Sequence, residues 1–214
     1  MPLYELRIYT TRPGIMAKYM QIVGEVGMPI RKNDYGTLVG AWTSDIGALN
    51  QYYHLWSYPD PNERTRLRAA LAKAPGWADQ YLAQSRGMVI AQENLLMTAD
   101  ADVGVRPVEG AGHIYELRTY RSLPGQLNGW QSTFKNALPR RETHSKLVAL
   151  WNTEVGGLNA AKHLWVYDSL QHRTEVREAM AKDEELRRLR GNGVESLISQ
   201  ESTILLPTSF SPLR

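Results

Sequence analysis

Four side chains able to do chemistry alternate along one short stretch of this chain. They are Asn50, His54, Trp56 and Tyr58, within Leu49-Asn50-x-x-x-His54-Leu55-Trp56-x-Tyr58. If the stretch is a strand, strict alternation puts all four on one face, together with Tyr52. An imidazole that titrates near neutral pH can act as general acid or base, or ligate a metal such as haem iron. An Asn amide can orient a carbonyl or stabilise an oxyanion. An indole gives a flat wall for a planar ligand. The same set returns as Asn159, His163, Trp165 and Tyr167 in Leu158-Asn159-x-x-x-His163-Leu164-Trp165-x-Tyr167. Four of the five positions on this face agree between the copies, whereas Gln51, Tyr53 and Ser57 on the other face are replaced. Arg7 and Arg118 form a second candidate group. In Tyr4-Glu5-Leu6-Arg7-Ile8-Tyr9 and Tyr115-Glu116-Leu117-Arg118-Thr119-Tyr120 a Glu and an Arg share one face. Such an Arg can clamp a carboxylate in bidentate fashion, or it can pair with its neighbouring Glu at a domain interface. A purely structural alternative applies throughout. A strand buried on both faces takes Trp and Tyr for volume alone, and a lone His bonded to its neighbours stabilises a sheet without reacting. The helix arginines Arg64, Arg66, Arg68, Arg173 and Arg177 read as a solvated face.

The elements that must position these residues also come twice. In the first copy, residues 3–10 alternate as a strand, and Pro13-Gly14 ends it. Ile15, Tyr19, Ile22, Val26 and Ile30 then recur at helical spacing. Strands follow at 37–44 and 48–58, joined by the Asp45-Ile46-Gly47 turn. Asp60-Pro61-Asn62-Glu63 opens a second helix, with Asp as N-cap, Pro at the first helical position and Glu able to bond back to the cap. A last strand spans 87–97. The second copy has a strand at 113–120 and a break at Pro124-Gly125, then a helix with Leu127, Trp130, Phe134 and Leu138. Strands at 146–153 and 157–167 follow. Asp168-Ser169-Leu170-Gln171 repeats the capping pattern, and the helix it opens is read as continuous to Arg190, with Gly191 as C-terminal cap. The closing strand is 194–206. The offset between copies falls from 111 residues at the first strand to 109 at the third and 108 at the last, as small loop deletions produce.

This order predicts α+β architecture: two ferredoxin-like βαββαβ domains, at 1–98 and 113–206. A linker at 99–112 joins them and an irregular tail covers 207–214. Each domain leaves one sheet face bare, so packing sheet to sheet gives an intramolecular α+β barrel with helices outside. The first and third strands of each domain become neighbours, bringing Arg7 beside His54.

Composition narrows the function classes. The chain has 214 residues, 43% hydrophobic and 22% charged, ordinary for a globular protein. It has no cysteine, which removes disulfides, thiolate metal sites and cysteine nucleophiles. Twenty-five cations against 22 anions, without a one-sign block, argue against nucleic acid as a partner. No apolar run approaches the roughly 18 residues of a membrane span, and no leader pattern opens the chain, so a cytoplasmic protein is expected. P-loop, dinucleotide-binding, nucleophile-elbow and zinc-hydrolase patterns are all missing. Five histidines leave little for a dedicated metal cage.

The Tyr-Glu-Leu-Arg-x-Tyr strands at 4–9 and 115–120 carry a family resemblance. So do Pro13-Gly14 and Pro124-Gly125, the Leu-Asn-x-x-x-His-Leu-Trp-x-Tyr stretches, and Arg64-Thr65-x-x-Arg68 with Arg173-Thr174-x-x-Arg177. Together they resemble the NIPSNAP family over nearly the whole chain. The resemblance implies the dimeric α+β barrel fold and little about activity. Animal members are linked to vesicle trafficking and mitochondrial quality control. The wider fold group includes cofactor-independent monooxygenases, haem-degrading enzymes and small isomerases, and fold alone does not choose among them. The expectation is a small hydrophobic or aromatic ligand bound in a polar–aromatic pocket, for a cofactor-independent oxygenase or isomerase. His54 and His163 are its candidate catalytic residues. Asn50, Trp56, Tyr58, Arg7, Asn159, Trp165, Tyr167 and Arg118 are candidates to bind the ligand. No cofactor is expected, haem entering by fold analogy only. The alternative is a non-catalytic protein-interaction module, and self-association stays open because the chain already carries both barrel halves.

Overall fold

The computed structural model describes residues 1–191 and 193–214. Eight antiparallel strands close into a barrel in the order β1-β3-β2-β8-β5-β7-β6-β4. The first half contributes β1 (Leu3–Thr11), β2 (Thr37–Ile46), β3 (Gln51–Tyr58) and β4 (Val89–Ala99). The second contributes β5 (Ile114–Ser122), β6 (Lys146–Val155), β7 (Ala160–Tyr167) and β8 (Leu197–Pro207). The sheets do more than face each other. β2 bonds to β8 and β4 to β6, so both seams are hydrogen-bonded and the sheet edges are used up. Inside, Tyr4, Leu6, Tyr53, Leu55, Tyr115, Leu117, Leu164 and Trp151 form one core.

The opposite face of each sheet lies under helices, which is why β1, β3, β5 and β7 are buried along nearly their whole length. Over the first half run α1 (Met16–Ile22), a π-helical turn (Val23–Gly27) and α2 (Met28–Arg31) as one helical path. α3 (Pro61–Leu71) follows, then a second π-helical turn (Trp77–Leu82) and the short α4 (Ala83–Ser85). Over the second half lie α5 (Leu127–Glu142), α6 (Leu170–Lys182) and α7 (Glu184–Arg190). Among the described residues no helix is long and apolar enough to cross a membrane.

The caps refine the sequence reading. Asp60 caps α3 by accepting the Asn62 and Glu63 N–H groups at 2.8 and 2.9 Å. Glu63 turns to Arg66 instead of back to the cap. In the second half the cap is Ser169, not Asp168; its hydroxyl accepts the His172 N–H. The helix expected to continue to Arg190 breaks at Asp183. That carboxylate accepts the Leu186 N–H and starts α7. Gly191, at φ 44°, ends it in the left-handed region, where glycine has no steric penalty.

Both irregular segments pack onto the barrel. The segment after β4 bonds along β6, through Asp100 N–H to Leu150 O and Arg106 N–H to Val148 O, each at 2.8 Å. The segment after β8 serves β2. The ladder to β8 ends at Trp42 opposite Pro207, and the next residue, Ala41, is served by the tail: the Ser211 hydroxyl accepts its N–H at 2.9 Å. Leu213 then enters the barrel core.

Candidate functional site

Strand register decides which side chains meet. Arg7 lies opposite His54, Glu5 opposite Trp56 and Tyr9 opposite Tyr52. Arg118 opposite His163 and Glu116 opposite Trp165 repeat this in the second half. All point away from the barrel interior toward the helices. The expected polar–aromatic face is therefore the sheet–helix interface of each half.

Each half holds a cavity of about 390 Å³ there. His54 and Trp56 line the first with Tyr9, Tyr19 and Tyr81. His163 and Trp165 line the second with Tyr120, Trp130 and Phe134. Facing positions exchange volume. Tyr52 stacks flat on His54, with centroids 4.6 Å apart and planes at 12°. Its counterpart is Ala161, and the space is taken from the helix side by Trp130 and Phe134, 5.9 and 5.2 Å from His163.

The histidines have a defined protonation state. Trp56 Nε1 donates to His54 Nδ1 at 2.8 Å, and Trp165 Nε1 to His163 Nδ1 at 2.6 Å. An indole N–H only donates, so each Nδ1 must be the bare nitrogen and each Nε2 carries the proton. Both Nε2 atoms are buried without a partner. Burial, and then the nearby Arg31, Arg7 and Arg68 charges, hold His54 well below its ordinary pKa. Burial first, then Arg118, Arg141 and Arg190, do so for His163. Each ring is thus a neutral donor. The roles of general acid and general base expected from sequence do not fit this state. Haem ligation does not fit either, because iron would need the Nε2 lone pair that the tautomer has filled with a proton.

Beneath each histidine lies a buried carboxylate. Glu5, 0% exposed, accepts Arg7 Nη1 at 2.8 Å and Arg64 Nη2 at 2.6 Å. Burial alone would raise its pKa, but the Arg64 hydrogen bond and the Arg7 and Arg68 charges outweigh it and hold the group at about 2. Glu116 accepts Arg173 Nη2 at 2.7 Å, Ser202 Oγ at 2.6 Å and the Tyr167 hydroxyl at 3.2 Å. There too burial is outweighed, first by the Arg173 and Ser202 hydrogen bonds, and the pKa is again about 2. Arg64 and Arg173 are therefore not a solvated face, as expected from sequence. They tie α3 and α6 to the sheet. Arg66, paired with Glu63 on the surface, matches that expectation, as does Arg177, exposed at the rim of the second cavity, whereas the half-buried Arg68 lines the first.

Two residues unmarked in the sequence reading complete the arrangement. Arg31 from α2 lies 3.2 Å over the Trp56 ring and donates to the Tyr58 hydroxyl at 3.0 Å. Arg141 from α5 lies 4.0 Å over Trp165 and donates to the Tyr167 hydroxyl at 3.2 Å. Burial pushes Arg31 down to about 10. A signal existed: Pro29-Ile30-Arg31 and Pro139-Arg140-Arg141 repeat Pro-x-Arg at an offset of 110, between the strand offsets.

Trp56, Trp165 and Arg118 line the cavities beside the histidines. Tyr58 and Tyr167 stand outside the linings, holding Arg31 and Arg141. Arg7 is also outside, bound to Glu5 and to the Tyr9 hydroxyl. Asn50 and Asn159 correct the sequence reading most clearly. They are not strand residues, because β3 begins at Gln51 and β7 at Ala160. Their φ values of 57° and 54° are left-handed, a conformation Asn tolerates better than most residues. Their carbonyls accept the Thr11 and Ser122 N–H groups at 2.8 and 2.9 Å, closing the ladders to β1 and β5. Neither lines a cavity, so the repeat keeps them for turn geometry.

An intramolecular α+β barrel with a histidine–tryptophan pair under the helices of each half defines the class of molecule. The NIPSNAP family model matches twice, at residues 4–101 and 115–212, and the chain belongs to that family. It is 32% identical to protein NipSnap homolog 3A of Homo sapiens, over 99% of this chain and 85% of the relative. A solved structure from Fusobacterium nucleatum superposes with a TM-score of 0.69 at 11% identity, covering 97% of this chain and 93% of the other. A solved anthrone oxidase-like protein gives 0.68 at 11% identity, covering 100% and 94%. Identities that low establish the shared fold alone.

Proposed function

We propose that the chain binds a small aromatic molecule in the sheet–helix cavities. The observation that carries this is the buried, unpartnered Nε2–H of His54 and His163 at the wall of an aromatic-lined cavity. An orphaned buried donor costs about 1–3 kcal/mol, a cost that a ligand acceptor removes. Aromatic walls with a few convergent polar groups are the usual anatomy of a small-molecule site. Donors and arginines stabilise negative charge on a ligand but do not take a proton. The cavity linings among the described residues hold no carboxylate and no free imidazole nitrogen. The site therefore suits binding, or stabilising a substrate that arrives ionised, better than an isomerase needing its own base. Equilibrium binding of a panel of bicyclic aromatics, followed by tryptophan fluorescence, tests the reading. Saturable binding abolished in His54→Phe/His163→Phe supports it, and no binding across the panel contradicts it.

One observation favours the interaction-module reading. Leu49 and Leu158 match between the halves yet stand 63% and 69% exposed on hairpin loops, where packing does not require them. Leu49→Ser/Leu158→Ser should then abolish partner capture while cavity binding persists. Unchanged capture would count against it.

A further inference from the structure

We propose that the second cavity is the ligand site proper and takes a planar aromatic carboxylate. This inference rests on the small-molecule reading above and adds the charge of the ligand and the half that binds it.

The two halves treat the β1/β5 arginine differently. In the first half Arg7 Nη1 sits 2.8 Å from Glu5 and Arg7 Nε 2.8 Å from the Tyr9 hydroxyl, and Arg7 stays out of the cavity. In the second half Ser202 Oγ occupies Glu116 Oε1 at 2.6 Å, alongside Arg173. Arg118 is left 3.6 Å from that carboxylate, beyond hydrogen-bond distance, with its buried Nε unpartnered. Arg118 instead lines the cavity. The position matching Ser202 on β4 is Asn94, for which no bond to Glu5 is found among the described residues. One serine hydroxyl thus releases one guanidinium toward the ligand space.

Arg177 from α6 and Arg190 from α7 reach the same cavity. Among the described residues neither makes a hydrogen bond or ion pair, and no acidic side chain joins the lining. Four arginines line this aromatic space of about 390 Å³, with the His163 Nε2–H at its wall. Arg141 is held by Ser145 and Tyr167, Arg118 keeps only the loose 3.6 Å pairing with Glu116, and Arg177 and Arg190 face no paired anion among the described residues. A guanidinium matches a carboxylate in bidentate fashion. Trp130, Phe134 and Trp165 offer ring faces to the rest of a flat molecule. Arg177, Ala181 and Gln200 are exposed and mark the side from which a ligand enters.

The test compares 2-naphthoate with its neutral amide, 2-naphthamide, by isothermal titration and tryptophan fluorescence on the full chain. The expected result is one naphthoate per chain, with the amide at least tenfold weaker. Arg118→Gln and Arg190→Gln should each erase most of that preference without weakening the amide. Arg66→Gln, on the surface of the first half, should change nothing. Equal binding of acid and amide would overturn the carboxylate proposal and leave the small-molecule reading standing. So would a preference that survives both cavity substitutions. Binding of neither compound would overturn both.

Discussion

The two halves of this barrel are built on one plan, and their differences separate framework from ligand space. Shared features are the Trp-to-His hydrogen bond, the arginine laid on that Trp, the Arg–Tyr bond, and the buried Glu held by a helix arginine. The first lies within a strand and orients the histidine; the others fix helices to sheet. The differences cluster in the cavities: Tyr52 against Ala161, Tyr19 and Val23 against Trp130 and Phe134, and Asn94 against Ser202 with its consequence for Arg118. Matching residues in an internal repeat therefore point first to what the fold requires. Function is better sought where the frame is kept and the lining changes.

The strongest test of the shared frame is the buried carboxylate. Glu5→Ala leaves Arg7 and Arg64 facing each other without an anion, and Glu116→Ala does the same to Arg173 and strands Ser202 and Tyr167. Each should cost about 3–5 kcal/mol in urea unfolding at pH 7, as removing one partner of a buried ion pair does. A loss under 1 kcal/mol in either half would break the equivalence.

Next in size is the indole donor. Trp56→Phe and Trp165→Phe leave a His Nδ1 unsatisfied and should each cost about 1–3 kcal/mol. The second should also alter the emission of Trp130, which lines the same cavity.

Acid sharpens the comparison further. Below about pH 6.5 an unfolded imidazole gains a proton that the buried, neutral native ring refuses. Stability should therefore fall as pH drops below 6.5, by roughly 1.4 kcal/mol per pH unit for each histidine. Glu5 and Glu116 add a second window. With native pKa values of about 2 against an ordinary 4.5, their contribution is full above 4.5 and is lost as pH falls toward 2. His54→Phe/His163→Phe should flatten the first window in pH-dependent denaturation and leave the second. The smallest effect is expected at Glu63→Gln, whose exposed partner Arg66 holds no element in place; its melting curve should overlay the parent's.

Much of the fold could be read from the residues because strand alternation and the repeat are local, redundant signals. They predicted the element order, the adjacency of β1 and β3, and the barrel. The His–Trp face was also legible, since period-two spacing puts His54 and Trp56 together whatever lies above them. Asn50 and Asn159 were misassigned because a left-handed turn at a strand start looks like one more alternating position. Arg64 and Arg173 looked solvated because helix periodicity does not reveal a distant buried carboxylate; Glu5 and Arg64 stand 59 residues apart in the chain. Arg31 and Arg141 carried a repeated Pro-x-Arg, but their placement over an indole depends on a helix path that includes a π-helical turn in the first half. The release of Arg118 was not legible, because it depends on Ser202, which is 86 residues away from Glu116.

The proposed binding reading rests on His163, and its first-half equivalent His54, being neutral Nε2–H donors at a cavity wall. Long-range proton–nitrogen NMR of the imidazole rings tests this most directly. The structure predicts two rings in the Nε2–H tautomer at pH 7, still neutral at pH 6. An Nδ1–H tautomer or an imidazolium at either position would contradict it.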